Sequence, residues 1–311
     1  MEGLLITASG EERALPPLLA WEITRTNSGS PADAWQVRFA ADAGTEALLR
    51  DGTRVVLRDA DTVKMAGMVD EAAVRLDEDG CIAELNGRGM AALLLDNEAL
   101  PASYTRAQLE DVLRSCAEPF GVELEAAVPM GGVPGYTIPA GTSCYGAVAG
   151  FARWAAGLTP RFTAEGKLVV LPEGSGAETD LTEACGQLLA AEWTRKEYGI
   201  IGQVVQVDSK SGARTLIEAG EGRGCRRVCT VNNGTWNRAD SWPPELLMRQ
   251  SRAEQELLEL TLPGSAPVQP DDAAVVTIPA LGVAGRFLVV QTISRGSAAG
   301  VTCQLTLRAW N

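Results

Sequence analysis

The chain has 311 residues, of which 46% are hydrophobic and 22% charged, a balance that supports packed cores in one to three domains. A net charge of −13 excludes a basic groove of the kind that grips nucleic-acid phosphates. There is no histidine, so the commonest general base, metal ligand and triad member are all missing.

No apolar run reaches the ~18 residues that a membrane span needs. Residues 1–20 lack a basic start and a continuous apolar stretch, so no signal peptide is expected and folding in a cytoplasm is. The seven cysteines (Cys81, Cys116, Cys144, Cys185, Cys225, Cys229 and Cys303) are odd in number and scattered, which reads as free thiols in a reducing compartment. Cys225 and Cys229 lack the second ligand pair that zinc would require.

In chain order, Trp21–Arg25 and Trp35–Phe39 alternate large apolar with polar residues, the period of half-buried strands, around a turn at Thr26–Pro31. Val55–Arg58 and Val63–Val69 flank a tip at Asp59-Ala60-Asp61, and Ala73–Leu76 runs through Asp77–Gly80 into Cys81–Leu85. Gly87-Arg88-Gly89-Met90 lacks a phosphate-loop pattern and reads as a strand ending in a helical turn. From Pro101 the period changes. Thr105 is the expected cap of a helix with Leu109, Val112, Leu113 and Cys116 on one face, ended by Pro119. A second helix follows Thr142-Ser143 and stops at Gly157, and Arg161–Leu171 forms a hairpin. Strands are expected at Gln187–Trp193, Ile200–Val207, Arg214–Glu218 and Arg223–Val231, then a loop, a helix Glu245–Gln255 opened by Pro244, and a strand Leu257–Leu262.

The end of the chain repeats the pattern of its first part. Val55-Val56-Leu57, Ala66–Asp70 and Gly80–Arg88 parallel Val275-Val276-Thr277, Gly285–Val290 and Gly300–Arg308, with Gly80 on Gly300, Leu85 on Leu305 and Arg88 on Arg308. The expected architecture is mainly β with an α+β insert, the short strands at this spacing suggesting a barrel or sandwich: a β-module at 1–100, an α+β body at 101–175, and a second β-module at 176–311 with an inserted loop and helix at about 232–256. A module used twice lets a ring of chains match a partner of higher symmetry.

Candidate chemistry is sparse. The carboxylate pairs Asp59/Asp61, Asp77/Asp79 and Asp271/Asp272 lie in expected turns, where solvated acids are the rule. Cys144 in Ser143-Cys144-Tyr145-Gly146 sits at a helix start, where the dipole would activate a thiol, but no base accompanies it. Trp236 and Trp242 in a polar loop are candidate interface anchors. We expect no catalytic, cofactor-binding or metal-binding residues.

Val55–Ala99, with Leu85-Asn86-Gly87-Arg88-Gly89-Met90-Ala91-Ala92-Leu93-Leu94-Leu95-Asp96-Asn97-Glu98, resembles the first barrel of phage tail baseplate hub proteins of the late control protein D and prophage tail hub type. The helix Thr105–Pro119 with Phe120-Gly121-Val122, the second helix with Gly157-Leu158, the hairpin Phe162–Leu171, and Leu260–Leu307 are similar to the elements that follow in that family; residues 173–245 match least. The resemblance implies a homotrimer with two barrels per subunit, forming a pseudo-sixfold ring. One face would meet the hexameric tail tube and the other the trimeric central spike. Baseplate wedge proteins, the tape-measure protein and a LysM-type tail protein are further implied contacts. Barrel edge strands of adjacent subunits would join. The implied place is the tail baseplate of a virion or injection particle assembled in the bacterial host cytoplasm, and the acidic balance suits a channel through which DNA slides without sticking. The competing readings are a receptor- or carbohydrate-binding tail-tip protein and, behind it, a tail-associated cell-wall hydrolase, for which the chain shows no spare domain after Trp310.

Overall fold

The computed structural model describes residues 1–27, 31, 33–78, 80–182, 184–208, 210–218, 227–233, 237–253, 255–265 and 268–310. The alternating pattern of the first part becomes β1 (Glu2–Thr7), β2 (Glu12–Ala14), β3 (Leu18–Thr26), β4 (Ala34–Ala40), β5 (Gly52–Asp59), β6 (Thr62–Asp77) and β7 (Gly80–Gly89), with a short helix α1 (Thr45–Arg50) before β5. In β4 the alternation maps directly onto burial, with Trp35, Val37 and Phe39 inside and Gln36 and Arg38 not. The two strands expected at Val63–Val69 and Ala73–Leu76 are one. A bulge between Val69 and Glu71 lets β6 run on along β7 with its side chains re-aimed. Residues from β1 to β7, including Leu5, Val37, Leu57 and Leu85, share one buried cluster, so this part of the sheet curls around its own core.

After a turn of helix, α2 (Ala92–Leu95), the body comprises β8 (Ala102–Ala107), α3 (Leu109–Cys116), β9 (Leu124–Ala127), β10 (Val133–Ile138), α4 (Cys144–Ala156), β11 (Arg161–Phe162) and β12 (Leu168–Val170). All four predicted face residues of α3 are buried. Its cap is not Thr105, which lies within β8. It is Gln108, the first residue past that strand, whose amide donates to Asp111 Oδ2 at 3.0 Å. α3 ends at Cys116, and Pro119 sits in the 3-10 turn that follows. Ser143 caps α4 by accepting from the Gly146 amide at 3.0 Å, and Gly157 closes it at φ 68°.

The remaining elements are β13 (Glu178–Asp180), β14 (Ala190–Arg195), β15 (Ile201–Asp208), β16 (Arg214–Glu218), β17 (Arg227–Asn233), β18 (Asn237–Arg238), α5 (Pro244–Ala253), β19 (Glu256–Pro263), β20 (Ala273–Ile278), β21 (Val283–Ser297) and β22 (Gly300–Ala309). The strand expected from Gln187 starts at Ala190, because Ala184–Gln187 form a 3-10 turn. β15 pairs with β16 and β17 in a sheet of its own, covered by Met248 of α5. The material set into the second module therefore runs from 201, not from about 232. The start of the strand expected at Arg223 lies outside the described residues.

One large sheet runs through both ends of the chain in the order β14-β19-β22-β21-β3-β4-β7-β6-β5-β1-β2, with β20 pairing on β21 and β13 on β20. The modules are thus not two separately closed barrels. Each curls around its own core, the ladder stays open among the described residues, and the two are fused edge to edge where β21 meets β3.

Candidate assembly interface

The strand order holds the same path twice. β3-β4-β7-β6-β5 in the first module answers to β14-β19-β22-β21-β20 in the second. The β6–β7 and β21–β22 hairpins agree position by position 220 residues apart: Met68 faces Arg88 as Leu288 faces Arg308, and the bulges fall at Asp70 and Val290. Gly80 and Gly300 open β7 and β22 at φ 116° and 118°, a backbone region that favours glycine. Leu85 and Leu305 are both fully buried. Only the first block of the expected repeat slips. The ladder sets Val55, Val56 and Leu57 against Ala274, Val275 and Val276, one residue earlier than Val275–Thr277. Alternation explains this, since Val55, Leu57, Ala274 and Val276 are all buried and a one-residue slip would turn the polar Thr277 inward.

The cores inside this shared frame are packed oppositely. In the first module Trp35 crosses Gly67 and Gly87, and a Cβ on Gly87 would lie 1.9 Å from the Met68 carbonyl oxygen and 2.9 Å from the indole. In the second the equivalent residues are Leu258, Phe287 and Leu307. One large and two small side chains fill the space that three medium ones fill elsewhere, which is why the repeat is faint in residue identity.

At the fusion, β21 and β3 run antiparallel with Gln291 opposite Thr26 and Gly296 opposite Trp21. Arg295 Nε meets Glu22 Oε2 at 2.6 Å on one face. On the other face the Trp21 indole lies over Gly296, where a Cβ would come within 2.2 Å of it.

Two buried carboxylates tie this junction to the α+β body. Asp33 accepts from Arg25 Nε at 3.0 Å and from the Thr26 amide at 2.7 Å, and Arg25 also donates to the Phe162 carbonyl at 3.0 Å. Asp271 accepts from Asn27 Nδ2 (2.9 Å), the Gly174 amide (2.8 Å), Ser175 Oγ (3.0 Å) and Arg161. It joins the first module, the body and the second module at one side chain. Burial pushes the carboxyls of Asp33 and Asp271 above the ordinary range, opposed by Arg25 and Arg161 respectively. The body is also tied to the segment before α5. β18 pairs with β10, Trp154 Nε1 donates to the Arg238 carbonyl at 2.9 Å, and Ala239 packs so closely on Gly150 that a Cβ there would sit 2.6 Å away.

The sequence-predicted site residues fare differently. Asp59 and Asp61 are exposed at the β5–β6 turn, Asp77 ends β6, and Asp79 lies outside the described residues. Asp271 corrects the expectation of a solvated turn acid: it is 3% exposed at φ 82°, and its neighbour Asp272 caps backbone amides of Ala177 and Gln269. Cys144 does stand at the start of α4, but burial beside Cys116 pushes its thiol up to about 12, overriding the helix dipole. Trp242 is not an exposed anchor. It is half-buried with the Arg153 guanidinium 4.2 Å from its ring, and Trp236 lies outside the described residues. Cys225 lies outside them as well, and among the described residues no group of acidic or cysteine side chains is placed to hold a metal ion. No helix is long and apolar enough to cross a membrane among the described residues.

Sequence reasoning missed the residues left over at the sheet edges. Among the described residues, β6 from Glu71 to Asp77 pairs only with β7, and β14 pairs only with β19. Val74, Leu76, Leu189 and Trp193 on or beside these edges are 42, 81, 60 and 45% exposed. The available signal was apolar alternation on strands that the repeat leaves without a neighbour.

No protein-family model matches the chain and no curated protein matches it. Solved structures do. A tail protein from Neisseria meningitidis is 15% identical with a TM-score of 0.72, covering 99% of this chain and 96% of its own. The 43 kDa tail protein of prophage MuSo2 from Shewanella oneidensis is also 15% identical with a TM-score of 0.75 over the same shares. An Escherichia coli component of the type VI secretion system, described as structurally similar to the T4 tail proteins gp27 and gp5, is 11% identical with a TM-score of 0.57, covering 94% of this chain and 74% of its own. The chain is therefore similar in fold to these phage tail proteins and to a component of the type VI secretion system.

Proposed function

We propose that this chain is a structural baseplate hub of a contractile phage tail or of a phage-like injection particle. In this reading three copies form a ring. The modules at 1–100 and 176–311 alternate around it, with the α+β body at 101–175 turned outward. The pseudo-sixfold face seats the first ring of the hexameric tail tube, and the threefold face carries the trimeric central spike. Wedge proteins, the tape-measure protein and a LysM-type tail protein meet its periphery or channel, and the role is mechanical, without turnover.

The observation that carries the reading is the repeated strand path, matched down to the bulge and the paired glycines Gly80 and Gly300. Duplication in one chain is how a threefold assembly presents six like surfaces to a sixfold partner. The fold shared with tail proteins supports the same conclusion.

The test is the mass of the purified protein by light scattering across a concentration series, followed by electron microscopy of the ring. A trimer near three times 32.8 kDa with six similar lobes is expected. A chain that stays monomeric throughout removes the reading.

A further inference from the structure

The junction between the two modules is a template for a junction between chains. β21 carries β3 on the half of its edge beyond the bulge. Among the described residues its counterpart β6 carries nothing there, and β14, the counterpart of β3, ends the sheet. We propose that residues 71–76 of β6 pair antiparallel with residues 191–196 of β14 from a second copy, in the register that β21 and β3 use within the chain. This deepens the hub reading and rests on it for the closure of the ring at three.

The register follows without adjustable choice. Stepping β21 back to β6 through the matched hairpins, and β3 forward to β14 through their places beside β4 and β19, sets Arg75 opposite Glu192 and Glu71 opposite Lys196. The first pair reproduces between chains the Arg295–Glu22 ion pair made within one. Arg75 is exposed and makes no ion pair among the described residues, and Glu192 is exposed at the sheet's end. Opposite charges facing across strands favour this pairing.

The other face agrees independently. Val74 falls opposite Trp193, and Leu76 opposite Ala191, so the exposed apolar side chains of the two free edges cover one another. Within the chain the large residue Trp21 sits over Gly296; between chains their counterparts are Ala191 and Leu76, large and small exchanged. A slip by one residue would set these apolar side chains against the charged face. An uncovered edge of this kind would otherwise invite aggregation.

The test uses the full chain with cysteine pairs. Ala73→Cys with Thr194→Cys lies in register, and Ala73→Cys with Glu192→Cys is two residues out. After mild oxidation the first pair should give dimer and trimer bands on a non-reducing denaturing gel, and the second pair and the unmodified chain should not. Arg75→Glu should weaken self-association about tenfold, and adding Glu192→Arg should restore it. Unchanged circular dichroism guards against misfolding, since both positions are exposed. A trimer in which neither pair cross-links, or only the displaced one does, and in which Arg75→Glu has no effect, overturns this pairing and leaves the hub reading standing. A chain that never self-associates overturns both.

Discussion

Replacing Asp271 should separate the parts of the molecule more effectively than any other polar change. Asp271→Ala removes the acceptor for Asn27, the Gly174 amide, Ser175 and Arg161 together, and leaves the largely buried Arg161 guanidinium without its counter-charge. Breaking a buried pair from one side costs about 3–5 kcal/mol, a large share of the roughly 5–15 kcal/mol by which a domain is stable. The backbone adds a second handle. Asp271 holds φ 82°, so Asp271→Gly should be milder than alanine by about 1 kcal/mol. Asp271→Asn keeps at Oδ1 the acceptor for Asn27 and the Gly174 amide but turns a donor amide towards Ser175 and Arg161, and should fall between glycine and wild type. Adding Arg161→Met to Asp271→Ala should recover part of the loss, because the stranded charge goes with it.

Urea unfolding with linear extrapolation measures the series. The pH dependence supplies a further check. Burial raises the folded-state carboxyl above its unfolded value, so the native state takes up the proton first. The stability of the wild type relative to Asp271→Asn should therefore fall as pH rises from about 3.9 through the raised folded value. A loss below about 1 kcal/mol for Asp271→Ala, comparable to that of an exposed ion pair, would refute the picture of a clamp.

Three further outcomes follow from the packing. Leu305→Asp buries a carboxylate in the second core, where Leu305 is fully enclosed; it should abolish particle assembly in a complementation assay, and intact particles would remove Leu305 from the core. Gly87→Ala forces a Cβ onto the Met68 carbonyl oxygen and should destabilise by about 3 kcal/mol or more in thermal melts, whereas the equivalent position 307 already holds a leucine. Cys144 should resist maleimide labelling of the native protein and react only after unfolding, because its thiol is buried and pushed up to about 12; peptide mapping by mass spectrometry reads this directly.

The strands at Trp21–Arg25, Trp35–Phe39 and Gly80–Arg88, the helix capped by Ser143 and closed by Gly157, and the repeat of Gly80–Arg88 in Gly300–Arg308 were all written in local chemistry: side-chain period, a capping hydroxyl, glycine at positive φ. That chemistry reports which way a residue faces and where an element stops. It does not report which strand lies alongside, because ladder hydrogen bonds come from the backbone and are the same for every residue. Only the tertiary structure could join β21 to β3 across the length of the chain, collect β15–β17 into a separate sheet, move the first block of the repeat by one residue, and leave β6 and β14 with edges that are open among the described residues. Asp271 makes the same point for one side chain. Beside Asp272 in sequence it reads as a solvated turn, and it is buried because Asn27 and Arg161, distant in the chain, arrive at the same place to receive its charge.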